Sequence, residues 1–323
     1  MLCGMGAADR LESELAALDG GAGVVPLPEA GLVRVSGPGH LDVLQRVLSQ
    51  DLTGLGPGQG RLALLLTPKG QFRAVSAVFA GAGETLLLAP PGRAAELADV
   101  LSKFLLLSRC STTAVEEPGV AVVGAGWLDA ATAVSADPAV VAEGGLTATP
   151  DGLLFGRTML GVAGATVVGP KDATERALRA AGAREVSREA VELLRIRHGA
   201  PAWGRELTGT TLPPEVGIEA DTISYTKGCY IGQETIARMA TYGHPTRTLA
   251  GLRQVAGTPD RPELPLPLTA AGEDRPRATL TSWGRHPRHG GAGLALVRRE
   301  LAVPGTRLSA PDRAFEIAPF PLW

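Results

Sequence analysis

The sequence contains little cysteine. Only Cys3, Cys110 and Cys229 occur in 323 residues, and they lie far apart. An odd number at this spacing argues against a disulfide framework and against a paired structural metal site. No apolar run approaches the roughly 18 residues of a membrane-spanning helix, and the first residues become charged before a signal-peptide core forms. We therefore expect a cytoplasmic protein that binds no membrane.

The net charge is also small, and aromatic side chains are few. The formal net charge is −2, so no overall attraction to nucleic acid is expected, and aromatic residues make up 4% of the chain. Hydrophobic residues reach 45%, alongside 42 Gly and 25 Pro, which predicts cores of Leu, Val and Ala joined by many tight turns. The length predicts two compact units or more.

Hydrophobic periodicity predicts mixed helices and strands in the first 200 residues. Apolar positions within 41–48 share one face of an amphipathic helix. Apolar runs on both sides of the turn at 68–70 predict a hairpin, which the run 84–89 extends to a three-stranded meander. Further helices are predicted at 10–18, 92–107, 127–134, 170–182 and 187–199, and strands at 31–37, 110–117 and 120–123.

The remaining chain is less regular. Residues 199–225 hold many Gly, Pro and acidic residues with few apolar repeats, which predicts an ordered surface loop of the functional kind. Short strand-like pieces separated by Gly then predict a small antiparallel barrel or sandwich, at 246–255, 277–283, 291–297 and 306–310.

Cys229 lies in the segment Lys-Gly-Cys-Tyr-Ile-Gly-Gln-Glu, residues 227–234. Apolar spacing predicts a helix that begins near Gly232, so Cys229 should precede the positive end of the helix dipole. That position, with Lys227 two residues away, favours the thiolate over the thiol. A lone cysteine is also often a small apolar core residue, and the residues by themselves leave the two interpretations equally open.

This segment resembles the signature of the YgfZ-type folate-binding proteins, relatives of the aminomethyltransferase (T-protein) of the glycine cleavage system. Weaker similarity extends over residues 33–72, 194–215 and 279–297. The resemblance implies an α+β fold, in which a ring of α/β subdomains surrounds a central folate channel and a C-terminal antiparallel β-barrel follows.

The same resemblance implies the domain organisation. A folate-binding, T-protein-like domain is expected at 1–245, with an inserted subdomain at 54–120, and the β-barrel domain is expected at 246–323. The implied cofactor is tetrahydrofolate or another reduced folate.

Candidate site residues also follow from the resemblance. Lys227 and Cys229 are the candidate catalytic residues, where Lys227 would lower the pKa of the thiol or pair with a folate carboxylate. Arg247 matches an arginine that the T-protein uses near the folate, and Trp203 is a scarce ring able to stack on a flat heterocycle. The candidate cofactor-binding residues are Arg247, Tyr230, Gln233, Glu234 and Trp203.

Two positions depart from the T-protein pattern. Glu96 falls at the place of the catalytic aspartate, and Arg197 falls where a glutamate binds the pterin. Because a guanidinium cannot accept hydrogen bonds, the pterin N–H groups would need another acceptor, such as Glu234 or Glu206. No metal site is expected, since His286 and His289 lack a third ligand at usable spacing.

The resemblance implies a tetrahydrofolate-binding accessory protein that supports assembly or repair of iron–sulfur proteins and thereby affects tRNA modification indirectly. Its partners would be a reduced folate and iron–sulfur client proteins, without direct nucleic-acid contact. The alternative is a folate-dependent aminomethyl or one-carbon transferase that uses Glu96. A third possibility is a folate-independent scaffold in which the thiol of Cys229 is buried.

Overall fold

The computed structural model describes residues 6–169 and 172–323. Cys3 lies outside the described residues, as do Pro170 and Lys171, at which the helix 170–182 was predicted to begin. The helices, numbered along the chain, are α1 (Ala7–Gly20), α2 (His40–Val47), α3 (Ala94–Leu105), α4 (Trp127–Val134), α5 (Pro138–Ala142), α6 (Asp172–Ala180), α7 (Arg188–His198), α8 (Pro213–Val216), α9 (Glu219–Thr222) and α10 (Gln233–Tyr242).

The strands fall into two open sheets and one closed barrel. They are β1 (Gly23–Leu27), β2 (Gly31–Ser36), β3 (Gly60–Leu66), β4 (Phe72–Ala80), β5 (Glu84–Leu88), β6 (Ser111–Glu116), β7 (Gly119–Val123), β8 (Leu146–Ala148), β9 (Leu153–Phe155), β10 (Gly164–Val168), β11 (Arg184–Glu185), β12 (Arg247–Gly257), β13 (Leu266–Ala270), β14 (Pro276–His286), β15 (Gly290–Arg298), β16 (Arg307–Ala310) and β17 (Arg313–Ala318).

The first sheet has the strand order β11-β1-β7-β10-β9-β8. β7 is buried along its whole length and pairs antiparallel with β1 and β10, as expected for a strand covered on both faces. On one face, α4 and α6 pack against apolar side chains of β1, β7 and β10. On the other face, a core shared with the second sheet and α7 fills the interior.

The second sheet has the order β3-β4-β5-β2-β6. The predicted hairpin and meander are confirmed, with Gly70 at φ 76° in the hairpin turn, a left-handed conformation that favours glycine. α2 and α3 cover one face through Leu44, Leu97 and Leu101, whose side chains are buried. This sheet is inserted in the chain between β1 and β7 of the first sheet.

The C-terminal strands close into an antiparallel barrel in the order β12-β15-β14-β13-β16-β17. The predicted barrel is confirmed, although β13 and β17 had not been predicted from the sequence. Its core contains Trp283 and Phe315, whose rings meet edge to face with centroids 5.8 Å apart. The domain boundaries at residues 54, 120 and 245 stay a prediction.

The ends of the helices that border the candidate site are determined by the residues next to them in sequence. The Ser187 hydroxyl accepts a hydrogen bond from the Ala190 amide at 3.2 Å and caps α7, a helix that was predicted at 187–199. Gly199 ends α7 in the left-handed conformation, and Gly232 precedes α10 at φ 85°. The helix predicted to follow Cys229 is therefore confirmed.

Residues 199–245 pack between the second sheet and the barrel. Leu207, Ile223 and Ile236 of this segment are buried against Phe72 of β4 and Leu296 of β15. The segment predicted as an ordered functional loop contains α8 and α9, and it joins the second sheet to the barrel. It also supplies residues that line the cavities described next, among them Ala200, Ala202 and Trp203.

Candidate functional site

Three adjoining cavities lie among these layers. The first has a volume of about 700 Å³, the second about 410 Å³ and the third about 600 Å³. Met159 and Trp203 line both the first and the second cavity, and Trp127 and Val162 line both the second and the third. Shared walls of this kind give one extended binding region, large enough for an elongated small molecule.

Trp203, predicted to bind the cofactor, is held at the junction of the first two cavities by a rigid loop. Arg195 donates to the carbonyl oxygen of Ala200 at 2.6 Å, just before the tryptophan. Glu206, just after it, accepts from the Ala202 amide at 3.0 Å and from Arg195 at 3.0 Å. The half-buried indole is therefore presented by a backbone that is fixed on both sides.

The second cavity contains an arginine without a protein partner. Arg157 is half-buried, and among the described residues it makes neither a hydrogen bond nor an ion pair; its Nε is fully buried. Burial lowers the pKa of Arg157, and the nearby charge of Asp221 opposes that shift. Asp221 is the one acidic side chain among the described residues that line this cavity. A buried donor without an acceptor is costly, so a ligand with acceptor atoms fits here.

Lys227 lies outside the three cavities and serves a structural contact. Its Nζ donates to the carbonyl oxygens of Gln45 at 2.5 Å, Leu48 at 2.7 Å and Gln50 at 2.9 Å. Burial lowers the pKa of Lys227 to about 8, and the charge of Asp51 opposes this shift. Because three carbonyls use its three N–H groups, this geometry gives no support to the predicted pairing with a folate carboxylate or with the Cys229 thiol.

Tyr230 is a packed residue in this structure. It is buried with Leu64, Leu66 and Ile236, and the Lys227 Nζ lies 5.7 Å from its ring centroid. Burial raises the pKa of Tyr230 to about 12, so the phenol stays protonated at neutral pH. Tyr230 lines none of the three cavities, and a direct contact with a ligand there finds no support.

Cys229 is exposed on the turn before α10. The interpretation of this thiol as an apolar core residue is therefore wrong, since its side chain is not buried. Gln233 is half-buried and Glu234 exposed, and neither lines the three cavities. A Cβ on Gly232 would lie 2.5 Å from the Thr67 carbonyl oxygen, so this glycine serves close backbone packing.

Arg247 already has a carboxylate partner. Its Nε and one Nη contact the two oxygens of Glu215 at 2.8 and 2.9 Å, a bidentate pair, and Glu215 is buried. Arg247 lies at the start of β12 and outside the three cavities. Its charge is therefore engaged within the chain instead of facing a cavity.

The two positions that depart from the T-protein pattern lie at cavity walls. Arg197 lines the third cavity and pairs with Asp19 at 2.6 Å. Glu96 is half-exposed, pairs with Arg93 at 2.8 Å, and shares a small cleft of about 10 Å³ with Trp203. Of the predicted substitute acceptors for a pterin, Glu206 has both oxygens occupied in the core, and Glu234 lines none of the three cavities.

Sequence reasoning missed the two charged residues of the second cavity. Arg157 falls in the stretch 135–169, for which no element was predicted, and β9 places it next to the cavity. Asp221 falls in the segment that was predicted to be functional, but no pattern distinguished it from its acidic neighbours. A half-buried arginine becomes recognisable only when its surroundings are known.

No protein-family model matches the chain. Among solved structures, the chain is similar to the glycine cleavage system aminomethyltransferase T from Bartonella henselae, with a TM-score of 0.79 and 21% identity, over 96% of this chain and 89% of that chain. The chain has the T-protein fold. The fold predicted from the resemblance is therefore confirmed.

Sequence relatives give a coarser picture of function. A chloroplastic protein of Arabidopsis thaliana named as a transferase is 27% identical over 94% of this chain and 72% of its own length. An aminomethyltransferase of Frankia alni is 26% identical over 90% of this chain and 82% of its own length. The tRNA-modifying protein YgfZ of Colwellia psychrerythraea is 43% identical over 58 residues, 18% of each chain. These relatives support an aminomethyltransferase-like chain, while the YgfZ-type assignment stays a prediction.

Among the described residues, no helix is long and apolar enough to cross a membrane. Within residues 6–169 and 172–323, no group of three His, Cys, Asp or Glu side chains is arranged to hold a metal ion. The cytoplasmic location stays a prediction.

Proposed function

We propose that the protein binds tetrahydrofolate in the second cavity and acts as an accessory factor in the assembly or repair of iron–sulfur proteins. The observation that carries the folate proposal is the partnerless guanidinium of Arg157, which lines a tryptophan-bordered cavity together with Asp221. The T-protein fold, and a relative named aminomethyltransferase, support a folate as the ligand.

The donor and acceptor groups of a pterin fit this pair of residues. A pterin edge presents N–H donors beside a carbonyl oxygen, so Asp221 would accept from the N–H groups and Arg157 would donate to the oxygen. Trp203 would stack on the flat ring system. Asp221 thus takes the acceptor role that was predicted for Glu206 or Glu234.

Calorimetry with tetrahydrofolate tests this assignment. We expect binding by the wild-type protein and at least roughly tenfold weaker binding by Asp221→Asn, because an amide presents an N–H toward the donors that the carboxylate accepts from. Trp203→Ala should weaken binding by a similar factor. Asp99→Asn is the matched control, since Asp99 is exposed on α3 beside Lys103. Wild-type protein that binds no tetrahydrofolate, or an Asp221 variant equal to the control, would refute the site.

The accessory role places Cys229 at a partner-facing surface. Its exposed thiol precedes α10, and stable ligation of an iron–sulfur cluster takes about four cysteines. One thiol of this chain would therefore contact a cluster only transiently, while the client supplies the other ligands. The similarity to a relative named as tRNA-modifying supports the indirect effect on tRNA modification.

Recovery of an oxidatively damaged iron–sulfur enzyme tests the accessory role. With iron, a sulfide source, a thiol reductant and tetrahydrofolate present, we expect the wild-type protein to speed recovery of client activity and Cys229→Ser to lose most of that effect. Cys110→Ser is the control, because the Cys110 thiol instead contacts the Pro38 carbonyl oxygen. Equal recovery with and without the protein would contradict the role.

An aminomethyl transferase is the second candidate, and the place of Glu96 favours it. Its carboxylate lies at a cleft that Trp203 also lines. Tetrahydrofolate-dependent release of ammonia from an aminomethyl donor, abolished by Glu96→Gln but not by Cys229→Ser, would establish this activity in place of the accessory role.

A further inference from the structure

Strand β6 forms an open edge of the second sheet, beside β2. The opposite edge, β3, is covered, because the Ser49 amide donates to the Leu64 carbonyl oxygen at 2.9 Å and the Leu64 amide donates to the Ser49 hydroxyl at 2.9 Å. The barrel is closed, and the edge strands of the first sheet, β8 and β11, have three and two residues. With six residues, β6 is therefore the longest open edge in the described part of the chain.

The main-chain groups of alternate β6 residues point toward this open edge. The Glu117 amide donates to the Ala30 carbonyl oxygen at 3.0 Å, so these two residues form a hydrogen-bonded pair next to the strand. Because bonded and unbonded pairs alternate along an antiparallel ladder, the N–H and C=O groups of Thr112, Ala114 and Glu116 point away from β2. Outside the sheet ladders, no described residue bonds to these groups. They are therefore available to another strand.

Strand β6, all of which lies within the described residues, lacks the features that usually protect an edge. Its pairing with β2 is continuous from Ser111 to Glu116, without a bulge. Residues 111–115 contain neither proline nor a charged side chain, and three of them are Thr or Val, which favour extended structure. Because proteins usually protect an exposed edge with lysine, proline or a bulge, this strand is suited to pairing with another strand.

Two leucines beside the start of β6 are fully exposed to solvent. Leu106 is 78% exposed and Leu107 is 105% exposed, the highest values for any large hydrophobic side chain among the described residues. Both lie in the short turn that connects α3 to β6. A strand from a second molecule that pairs with β6 would end beside this turn and cover part of their apolar surface.

The charges at the two ends of β6 are complementary. Arg109 precedes the strand, whereas Glu116 and Glu117 end it, and all three side chains are exposed and make neither a hydrogen bond nor an ion pair with any described residue. When two identical strands pair antiparallel, the start of each lies beside the end of the other, so an arginine meets a carboxylate at both ends. We propose that β6 pairs with β6 of a second copy of this chain about a twofold axis, which joins their second sheets into one continuous sheet.

The main-chain geometry determines the register of this pair. Outward-pointing groups must meet outward-pointing groups, so Thr112 bonds to Ala114 of the second copy and the twofold axis passes beside Thr113. In this register Arg109 lies opposite Glu117 of the second copy, and the neighbouring allowed registers lose that match. None of these residues lines any of the three cavities, so the pairing does not depend on the proposed folate site.

Sedimentation velocity of the full chain at about 1–100 µM tests the dimer. We expect the wild-type protein to dimerise with a Kd on the order of 10 µM, as suits a small interface. Thr113→Lys places two like charges side by side at the axis and should weaken dimerisation at least roughly tenfold. Arg109→Glu and Glu117→Arg should each weaken it several-fold, whereas the variant that carries both changes should recover it, because the charges are again complementary. All three positions are exposed, so the variants should fold like the wild type.

Disulfide cross-linking tests the register, with the native cysteines replaced by serine. Thr113→Cys should give a covalent dimer under mild oxidation, because the two side chains lie opposite each other across the axis. Ser111→Cys is the matched control: it is exposed on the same face of β6, lies opposite Val115 of the second copy, and should stay monomeric in a denaturing gel. Equal cross-linking of both variants, or a double charge variant that does not recover dimerisation, overturns the pairing. A wild-type protein that is monomeric at about 100 µM also overturns it and leaves the edge to a strand of a different protein.

Discussion

Replacing Arg195 by methionine is expected to lower the free energy of unfolding by about 3–5 kcal/mol, because it leaves the carboxylate of Glu206 buried without its cation. Arg195 is 1% exposed and Glu206 is 0% exposed. Urea or thermal unfolding of the purified variant measures the change. Such a loss is a large fraction of the stability of an ordinary domain.

The network around this pair joins α7, the Trp203 loop and the barrel. Arg195 of α7 donates to Glu206 at 3.0 Å and to the Ser282 hydroxyl of β14 at 2.5 Å. Glu206 also accepts from the hydroxyls of Thr281 and Ser282 at 2.6 Å each. Burial acts to lower the pKa of Arg195, but hydrogen bonds and charge from Glu192 and Glu206 outweigh it and raise the pKa. The cation is thus fixed, and it holds the Trp203 loop against the barrel.

Two comparisons make this prediction refutable. Arg188→Met changes the same helix at an exposed arginine paired with Glu29, where a loss of about 0–1 kcal/mol is expected. Adding Glu206→Gln to Arg195→Met should recover part of the loss, since the uncompensated charge disappears. An Arg195 variant as stable as the Arg188 variant would show that the buried pair adds little.

Local patterns were sufficient to predict most helices and strands. Ser187, Gly199 and Gly232 mark helix ends through side-chain capping or left-handed geometry, which depend on nearby residues only. The turn at 68–70 likewise identified the hairpin of β3 and β4. The barrel strand β13 was missed because the segment around it is rich in proline, which local rules assign to loops.

The site was less predictable, because its contacts join distant parts of the chain. Trp203 was placed at a cavity as expected, since rings in a functional segment usually border ligands. The partner of Arg247 is 32 residues away, and the hydrogen-bond partners of Lys227 are about 180 residues away. Sequence spacing does not indicate pairs that are so far apart. The charges of Lys227 and Arg247, which the sequence suggested were available to a ligand, are therefore engaged within the chain.

The second large effect on stability is expected from substitution of Lys227. Replacing it by methionine should lower the free energy of unfolding by about 3 kcal/mol, roughly 1 kcal/mol for each of the carbonyls of Gln45, Leu48 and Gln50 that loses its donor. Methionine preserves the apolar stem beside Tyr230, so the loss reports the ammonium contacts. Lys103→Met, at an exposed lysine paired with Asp99, is the control and should change stability by less than about 1 kcal/mol.

The same substitution should also weaken tetrahydrofolate binding, although Lys227 lines no cavity. The segment that ends at Lys227 is joined to residues 45–50 by further bonds: Ser49 donates to the Thr222 carbonyl at 2.6 Å, and Gln50 donates to that of Asp221 at 2.9 Å. Loosening this junction moves the Asp221 carboxylate relative to Arg157. Calorimetry under conditions where the variant is folded should therefore show several-fold weaker binding. If the variant loses stability but keeps its affinity for tetrahydrofolate, Lys227 contributes only to folding. If it loses affinity at full stability, Lys227 contacts the ligand directly.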